Sequence, residues 1–167
     1  MTQRWIPWLV VVLSCGVFAP VSVAKDFTSY KNMNQLVWDK DFKPALVAFF
    51  GKKKASLFWR NGLVWQQALE GLGGPPEDIA KLSSSLYLAS ACRAHSCMEK
   101  AAAVIEQPGQ LVAVGLVEYG CFRSTRCAER PTLQLYVRAR NGEAEQAIVN
   151  WAGRVVGDIE TKVTVLK

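Results

Sequence analysis

One stretch near the middle of the chain decides how the fold is read: Leu86-Tyr87-Leu88-Ala89-Ser90-Ala91-Cys92-Arg93-Ala94-His95-Ser96-Cys97. Its first half alternates, with Leu86, Leu88 and Ser90 on one side, and this period predicts a β-strand. Its second half holds the only histidine of the chain between two cysteines. If those sulfurs pair, so short a closure adds only about 2 kcal/mol of global stability. The bond would therefore shape the loop more than hold the fold, and a loop ordered in advance loses less entropy when it binds.

Three chemistries use a Cys-x-x-His-x-Cys spacing, namely zinc ligation, a thiol nucleophile helped by histidine, and a recognition loop closed by a disulfide. A metal carrier would use Cys92, His95 and Cys97, but it needs free thiolates and has no evident fourth ligand. A thiol oxidoreductase lacks its usual Cys-x-x-Cys spacing, and a hydrolase would need a nucleophile that the sequence does not identify. The choice depends on the redox compartment.

The start of the chain predicts export. Residues 1–24 carry a single charge, Arg4, followed by the apolar run Trp5–Val12 and ending in Ser22-Val23-Ala24. The small residues Ser22 and Ala24 suit cleavage by a signal peptidase, so this is the pattern of a secretory signal peptide. We therefore expect one domain over residues 25–167, located in the periplasm. Lipoprotein anchoring at Cys15 is the less favoured alternative. No other segment is long enough to span a bilayer.

Four of the five cysteines follow the predicted signal peptide, and an even number in an oxidising compartment indicates disulfides. The simplest pairing is local, Cys92 with Cys97 and Cys121 with Cys127. The second loop contains a candidate secondary contact surface, Phe122, Arg123 and Arg126. Paired sulfurs disfavour the metal carrier, which needs free thiolates, and no nucleophile or partner for His95 is identified. We expect no metal, no cofactor and no enzymatic activity.

The charge balance restricts the partners. The net charge is +6, and it falls by one when Arg4 is removed. Such a charge favours acidic surfaces, but it is too small and too dispersed to indicate nucleic acid. Export disfavours a nucleic-acid partner further.

Patterning along the rest of the chain predicts helices and strands in an α+β arrangement. A helix is expected between Asp39 and Gly51, an Asn61-Gly62 hairpin within Leu57–Trp65, and a linker at Gly71–Pro76 followed by a short helix to Leu82. Further strands are expected at Met98–Glu106, Leu111–Tyr119 and Thr132–Arg138, then an amphipathic helix at Glu143–Val156 and an edge strand at Lys162–Leu166. The expected architecture is an antiparallel meander with disulfide-closed turns and an apolar helix face on the sheet.

The span from about Lys40 to Tyr119 resembles the Ivy family, periplasmic inhibitors of vertebrate lysozyme, and the stretch Leu86–Cys97 carries most of the resemblance. The family's loop usually reads Cys-Lys-Pro-His-Asp-Cys, so that Arg93, Ala94 and Ser96 stand here for lysine, proline and aspartate. The resemblance implies a twisted antiparallel sheet with helices packed on one side. It also implies that the loop enters the cleft of a c-type lysozyme, where His95 meets the catalytic carboxylates.

The hypothesis that follows is an inhibitor of lysozyme-type enzymes whose inhibitory loop is Cys92, Arg93, Ala94, His95, Ser96 and Cys97. Its target would be a c-type lysozyme or a related muramidase. Alternatives are an inhibitor or immunity-type regulator of a bacterial lytic transglycosylase, and the metal-binding protein described above. We expect a monomer, or a symmetric homodimer that leaves the loop accessible.

Overall fold

The structure, a computed structural model, describes residues 25–121 and 127–167. The predicted signal peptide with Cys15 lies outside the described residues. So do Phe122, Arg123 and Arg126 of the predicted secondary contact loop. Among the residues that are described, no helix is both long and apolar enough to cross a membrane.

The described chain forms four α-helices and eight strands, after a short 3₁₀ turn at Phe27–Ser29. The helices are α1 (Met33–Trp38), α2 (Phe42–Phe50), α3 (Val64–Gly71) and α4 (Gly142–Val156). The strands are β1 (Lys54–Ala55), β2 (Gly62–Leu63), β3 (Ala80–Lys81), β4 (Leu86–Arg93), β5 (Ser96–Glu106), β6 (Gln110–Glu118), β7 (Thr132–Val137) and β8 (Glu160–Val165). Strands β3 to β8 form one sheet in chain order, and β1 pairs with β2 separately.

The main sheet is antiparallel from β3 to β7, and β8 joins β7 in parallel. The parallel pairing follows from the connection, because α4 lies between β7 and β8 and carries the chain back to the end where β7 begins. The α+β class, the strands β4 to β7, the helices α2 and α4, and the edge strand β8 are confirmed.

Helices cover both faces of the sheet, which corrects the expectation of helices on one side. One core lies between the sheet and α1, α2 and α3, and a second core lies between the sheet and α4. The run Ala101–Ile105 of β5 is fully buried, with Ala101, Ala103 and Ile105 in the first core and Ala102 and Val104 in the second. An apolar run without polar alternation is typical of a strand buried on both faces.

The region before β4 departs most from the sequence-based prediction. The strands β1 and β2 have only two residues each, and residues 56–61 connect them, so that Gly62 begins β2 instead of completing a two-residue turn. The apolar residues that follow begin α3 instead of extending a hairpin. The short helix expected after Pro76 is absent from the described chain. This segment instead runs beside β4, with a bridge between Pro76 and Ala91 and with the amide of Glu77 donating to the carbonyl of Ser90 at 2.9 Å. Pairing with an existing strand outweighs a weak local preference for helix.

One buried side chain, Gln67 of α3, organises the irregular segment between β1 and β2. Its Oε1 accepts from the backbone amides of Leu57, Phe58 and Trp59 at 3.2, 2.8 and 3.3 Å. Its Nε2 donates to the carbonyls of Ala55 and Gly62 at 2.9 and 3.2 Å. Gln67 is fully buried, so it replaces the hydrogen bonds that a regular hairpin would have supplied.

We therefore expect Gln67→Ala to lower the free energy of unfolding by about 2–4 kcal/mol, because it leaves several buried backbone groups without partners. The neighbouring Gln66 is exposed, so Gln66→Ala is a matched control that should change the stability by less than about 0.5 kcal/mol. Urea titration followed by circular dichroism measures both. Equal stability of the two variants would contradict the role given to Gln67.

Candidate functional site

The candidate site is the ring Cys92–Cys97, which connects β4 to β5. Cys92 and Cys97 are disulfide-bonded, and Arg93 pairs with Ser96, so only Ala94 and His95 form the turn. We call these two residues the tip. The side chain of His95 is exposed, and its backbone has φ 62°, a left-handed conformation that histidine adopts more readily than most residues. The predicted Cys92–Cys97 bond is thus present, with the histidine at the extreme end of the loop.

Arg93 faces the body of the protein instead of the rim of the loop. Its guanidinium contacts the buried Glu99 at 2.5 Å through Nη1 and the exposed Glu70 at 3.3 Å through Nε. It also stacks over the rings of Phe58 and Trp59, with 5.3 and 5.9 Å between the guanidinium carbon and the ring centroids. Arg93 therefore joins the ring to α3 and to the irregular segment that Gln67 holds.

The surroundings keep the Arg93 guanidinium charged. Burial acts to lower the pKa of the Arg93 guanidinium, but the hydrogen bond and the charge of Glu99, followed by those of Glu70, raise it above its ordinary value. Glu99 is itself buried, so this carboxylate depends on Arg93 for its compensation. The pair fixes the base of the ring.

The backbone beneath the ring is held by Gly74. A Cβ on this residue would lie 2.2 Å from the carbonyl oxygen of Cys92 and 2.7 Å from the amide nitrogen of Ala94. The amide of Cys92 donates to the carbonyl of Pro75 at 3.2 Å, and the hydroxyl of Ser90 donates to the carboxylate of Glu77. The segment after α3 thus supports the ring by direct backbone contact.

The second predicted disulfide, Cys121–Cys127, is also present. Lys100, near the start of β5, pairs with Val117, near the end of β6. The second disulfide, just past the end of β6, therefore lies at the same end of the sheet as the ring. The buried Glu118 nearby accepts from the amide of Gly120 at 2.6 Å. Burial, assisted by the charge of Glu118, raises the pKa of Tyr136 to about 12.

The metal-binding alternative loses the ligands that it needs. The sulfurs of Cys92 and Cys97 are bonded to each other, so neither is a free thiolate. Within residues 25–121 and 127–167, no group of three histidine, cysteine, aspartate or glutamate side chains could hold a metal ion.

Sequence reasoning found the ring but missed the residues that hold it, Gly74, Glu70, Glu99 and Gln67. The sequence Gly73-Gly74-Pro75-Pro76 predicted an end to regular structure, but it gave no sign that the ring packs against this segment. Glu99 follows Arg93 by six positions on a paired strand, and no local period relates two such residues.

Replacing Gly74 with alanine should destabilise the protein by about 1–3 kcal/mol, because the new methyl group meets backbone atoms that cannot move independently. At Gly153 on α4, a Cβ would meet nothing within 4 Å. Gly153→Ala is the control, and we expect it to stabilise the protein by about 0.5–1 kcal/mol through helix propensity. Thermal and urea unfolding of both variants measures the difference. If Gly74→Ala left the free energy of unfolding unchanged, the close backbone contact between Gly74 and the ring would not contribute to stability.

Arg93→Ala should cost on the order of 3 kcal/mol, because it leaves Glu99 buried without a partner. The double variant Arg93→Met with Glu99→Leu should recover most of that loss, since it removes both charges together. Arg130→Ala is the control, because it breaks an ion pair with Asp158 that is 61% and 80% exposed, and such pairs contribute about 0–1 kcal/mol. A double variant no more stable than Arg93→Ala would contradict the buried pair.

Comparison with known proteins gives one match. The family model described as Inhibitor of vertebrate lysozyme (Ivy) matches residues 56–121. No curated protein and no solved structure matches the chain. The matched span runs from the segment held by Gln67, through the ring, to the first cysteine of the second disulfide. Over residues 56–121 this chain therefore has the sequence pattern of the Ivy family, as its central stretch had suggested.

Proposed function

We propose that this protein is a periplasmic inhibitor of lysozyme-type enzymes that cleave peptidoglycan, and that it acts by inserting the tip into the catalytic cleft. The observation that carries the proposal is the exposed His95 at the end of a two-residue turn, closed by a disulfide within the span matched to the Ivy family. Export and the periplasmic location rest on the predicted signal peptide. A protein of this kind needs no catalytic group of its own.

The geometry suits a narrow cleft. A retaining glycosidase holds its two carboxyl groups about 5 Å apart, so a group that enters between them must be slender and must donate hydrogen bonds. The turn presents only Ala94 and His95, and an imidazole has N–H donors for carboxylate oxygens. His95 would then occupy positions that the substrate otherwise engages.

The contacts at the base of the ring order the tip before it binds. Because Arg93 is held by Glu99 and Glu70 and the ring rests on Gly74, little loop entropy remains to be lost on association. Arg93 belongs to the ring that we propose as inhibitory, but its role there is to position the tip. Contact with the enzyme falls chiefly to Ala94, His95 and Ser96.

The identity of the target stays a proposal. Vertebrate lysozyme is the partner that the description of the matched family names, and a c-type lysozyme is therefore the first candidate. A related muramidase, or a lytic transglycosylase of the same or a competing bacterium, offers comparable cleft chemistry. The tip departs from the family's usual loop, since Ala94 and Ser96 stand where the family has proline and aspartate. A second contact through Phe122, Arg123 and Arg126, and a monomer or a homodimer with a free tip, likewise remain predictions.

Replacing His95 with alanine should weaken inhibition by about 2–4 kcal/mol, roughly 30- to 1,000-fold, because carboxylates desolvated by the tip lose their donor. The fold should hardly change, since the side chain is exposed. Immobilised mature protein would first be used to retain muramidases, from both host secretions and the periplasm. Inhibition constants, dissociation rates and melting curves would then be measured against the enzyme retained.

Met98→Ala provides a matched control for that experiment, because Met98 lies just outside the ring and is 56% exposed. It should change the inhibition constant by less than about fivefold, the effect of a rim residue of a protein interface. If a folded His95→Ala variant inhibits as well as the wild type, the proposed role of His95 is wrong. If the wild-type protein neither binds nor inhibits any muramidase, the proposed function itself is wrong.

A further inference from the structure

An open depression with a volume of about 360 Å³ lies beside the ring. Ala94 of the tip forms one edge, and the indoles of Trp59 and Trp65 form part of its wall. Lys43 of α2 and Gln66 and Glu70 of α3 supply its polar groups. This combination of aromatic surface and few convergent polar groups is typical of a small-molecule site.

The aromatic wall is fixed before any ligand arrives. The amide of Trp59 donates to Gln67, and a Cβ on Gly62 would lie 2.1 Å from the indole nitrogen of Trp59, so the two residues pack closely. The Arg93 guanidinium stacks on the ring of Trp59 at 5.9 Å, and the Lys43 ammonium lies 5.5 Å from the ring centroid of Trp65. An ordered aromatic surface adds affinity because its freedom is lost before binding.

The polar groups favour a neutral ligand. Lys43 donates hydrogen bonds, Glu70 accepts them, and Gln66 does both. Lys43 and Glu70 carry opposite charges, and Glu70 also pairs with Arg93 at 3.3 Å, so the lining has no excess of either sign. A cationic ligand would meet Lys43, whose ammonium lies over one of the aromatic rings, and an anionic ligand would meet Glu70.

We propose that this depression binds a neutral N-acetylated sugar, one or two rings of a glycan. The apolar C–H face of a pyranose packs on an indole, its hydroxyls pair with donors and acceptors of both kinds, and an acetamido group adds one N–H and one carbonyl. The volume fits a ligand of that size. The site goes beyond the proposed inhibition, since it involves neither His95 nor a partner protein.

The probe is a β-1,4-linked trimer of N-acetylglucosamine, titrated into residues 25–167 labelled with ¹⁵N. Those residues contain four tryptophans, Trp38, Trp59, Trp65 and Trp151, so each indole N–H reports separately. We expect saturable shifts at Trp59 and Trp65, with a dissociation constant on the order of 1 mM. Trp38, which is 81% exposed on α1, and Trp151, which is 1% exposed, should not shift.

Three variants complete the test. Trp65→Ala should weaken binding at least about tenfold, and Gln66→Ala, whose exposed side chain leaves the fold intact, should weaken it about threefold. Trp38→Ala is the matched control, and it should bind like the wild type. The proposal would be overturned if no saturable shift occurred up to about 20 mM sugar. It would also be overturned if Gln66→Ala and a folded Trp65→Ala both bound the sugar as tightly as the wild type.

A parallel titration with N-acetyl-arginine amide separates the main competing occupant. If the basic probe shifts the signals of Trp59 and Trp65 and the sugar does not, the depression is a contact for a basic side chain of a partner, and the saccharide site is wrong. Since no muramidase is present in either titration, these outcomes leave the inhibition assays with His95→Ala unaffected.

Discussion

An arginine at the base of the ring joins three parts of the chain that local structure alone would leave independent. Arg93 contacts Glu70 of α3, Glu99 of β5, and the aromatic side chains of the irregular segment before α3. The carboxylate of Glu99 is buried, and the partly exposed Arg93 guanidinium compensates its loss of hydration. The position of the tip therefore depends on the packing of α3 against the sheet, and not on the disulfide alone.

The elements whose patterns were local could be predicted from the sequence. The apolar stripe of α4 has a helical period, and Asn141 accepts from the amide of Ala144 at 3.1 Å as its N-cap. The strand β5 was identified in spite of its alanines, because a Pro-Gly turn separates it from a second apolar run. In such segments local preference and tertiary structure agree.

Features that depend on distant partners could not be predicted. The pair Asn61-Gly62 predicted a hairpin, but Gly62 begins β2 in the structure. Gln67 satisfies the neighbouring amides and allows α3 to begin at Val64. Burial on both faces of β5 conceals which helix lies on which side. At the candidate site, the ring and His95 could be predicted from the spacing of the cysteines. The contact between Arg93 and Glu99 could not, because it depends on the register of β4 with β5.

The missing side chain at Gly74 has a mechanical consequence. Because the backbone of that residue lies directly against the backbone of Cys92 and Ala94, the ring cannot move toward Gly74 without displacing backbone atoms. Force applied along the tip passes into the segment beside β4 and from there into the sheet. The ring can therefore be displaced away from this segment more readily than toward it.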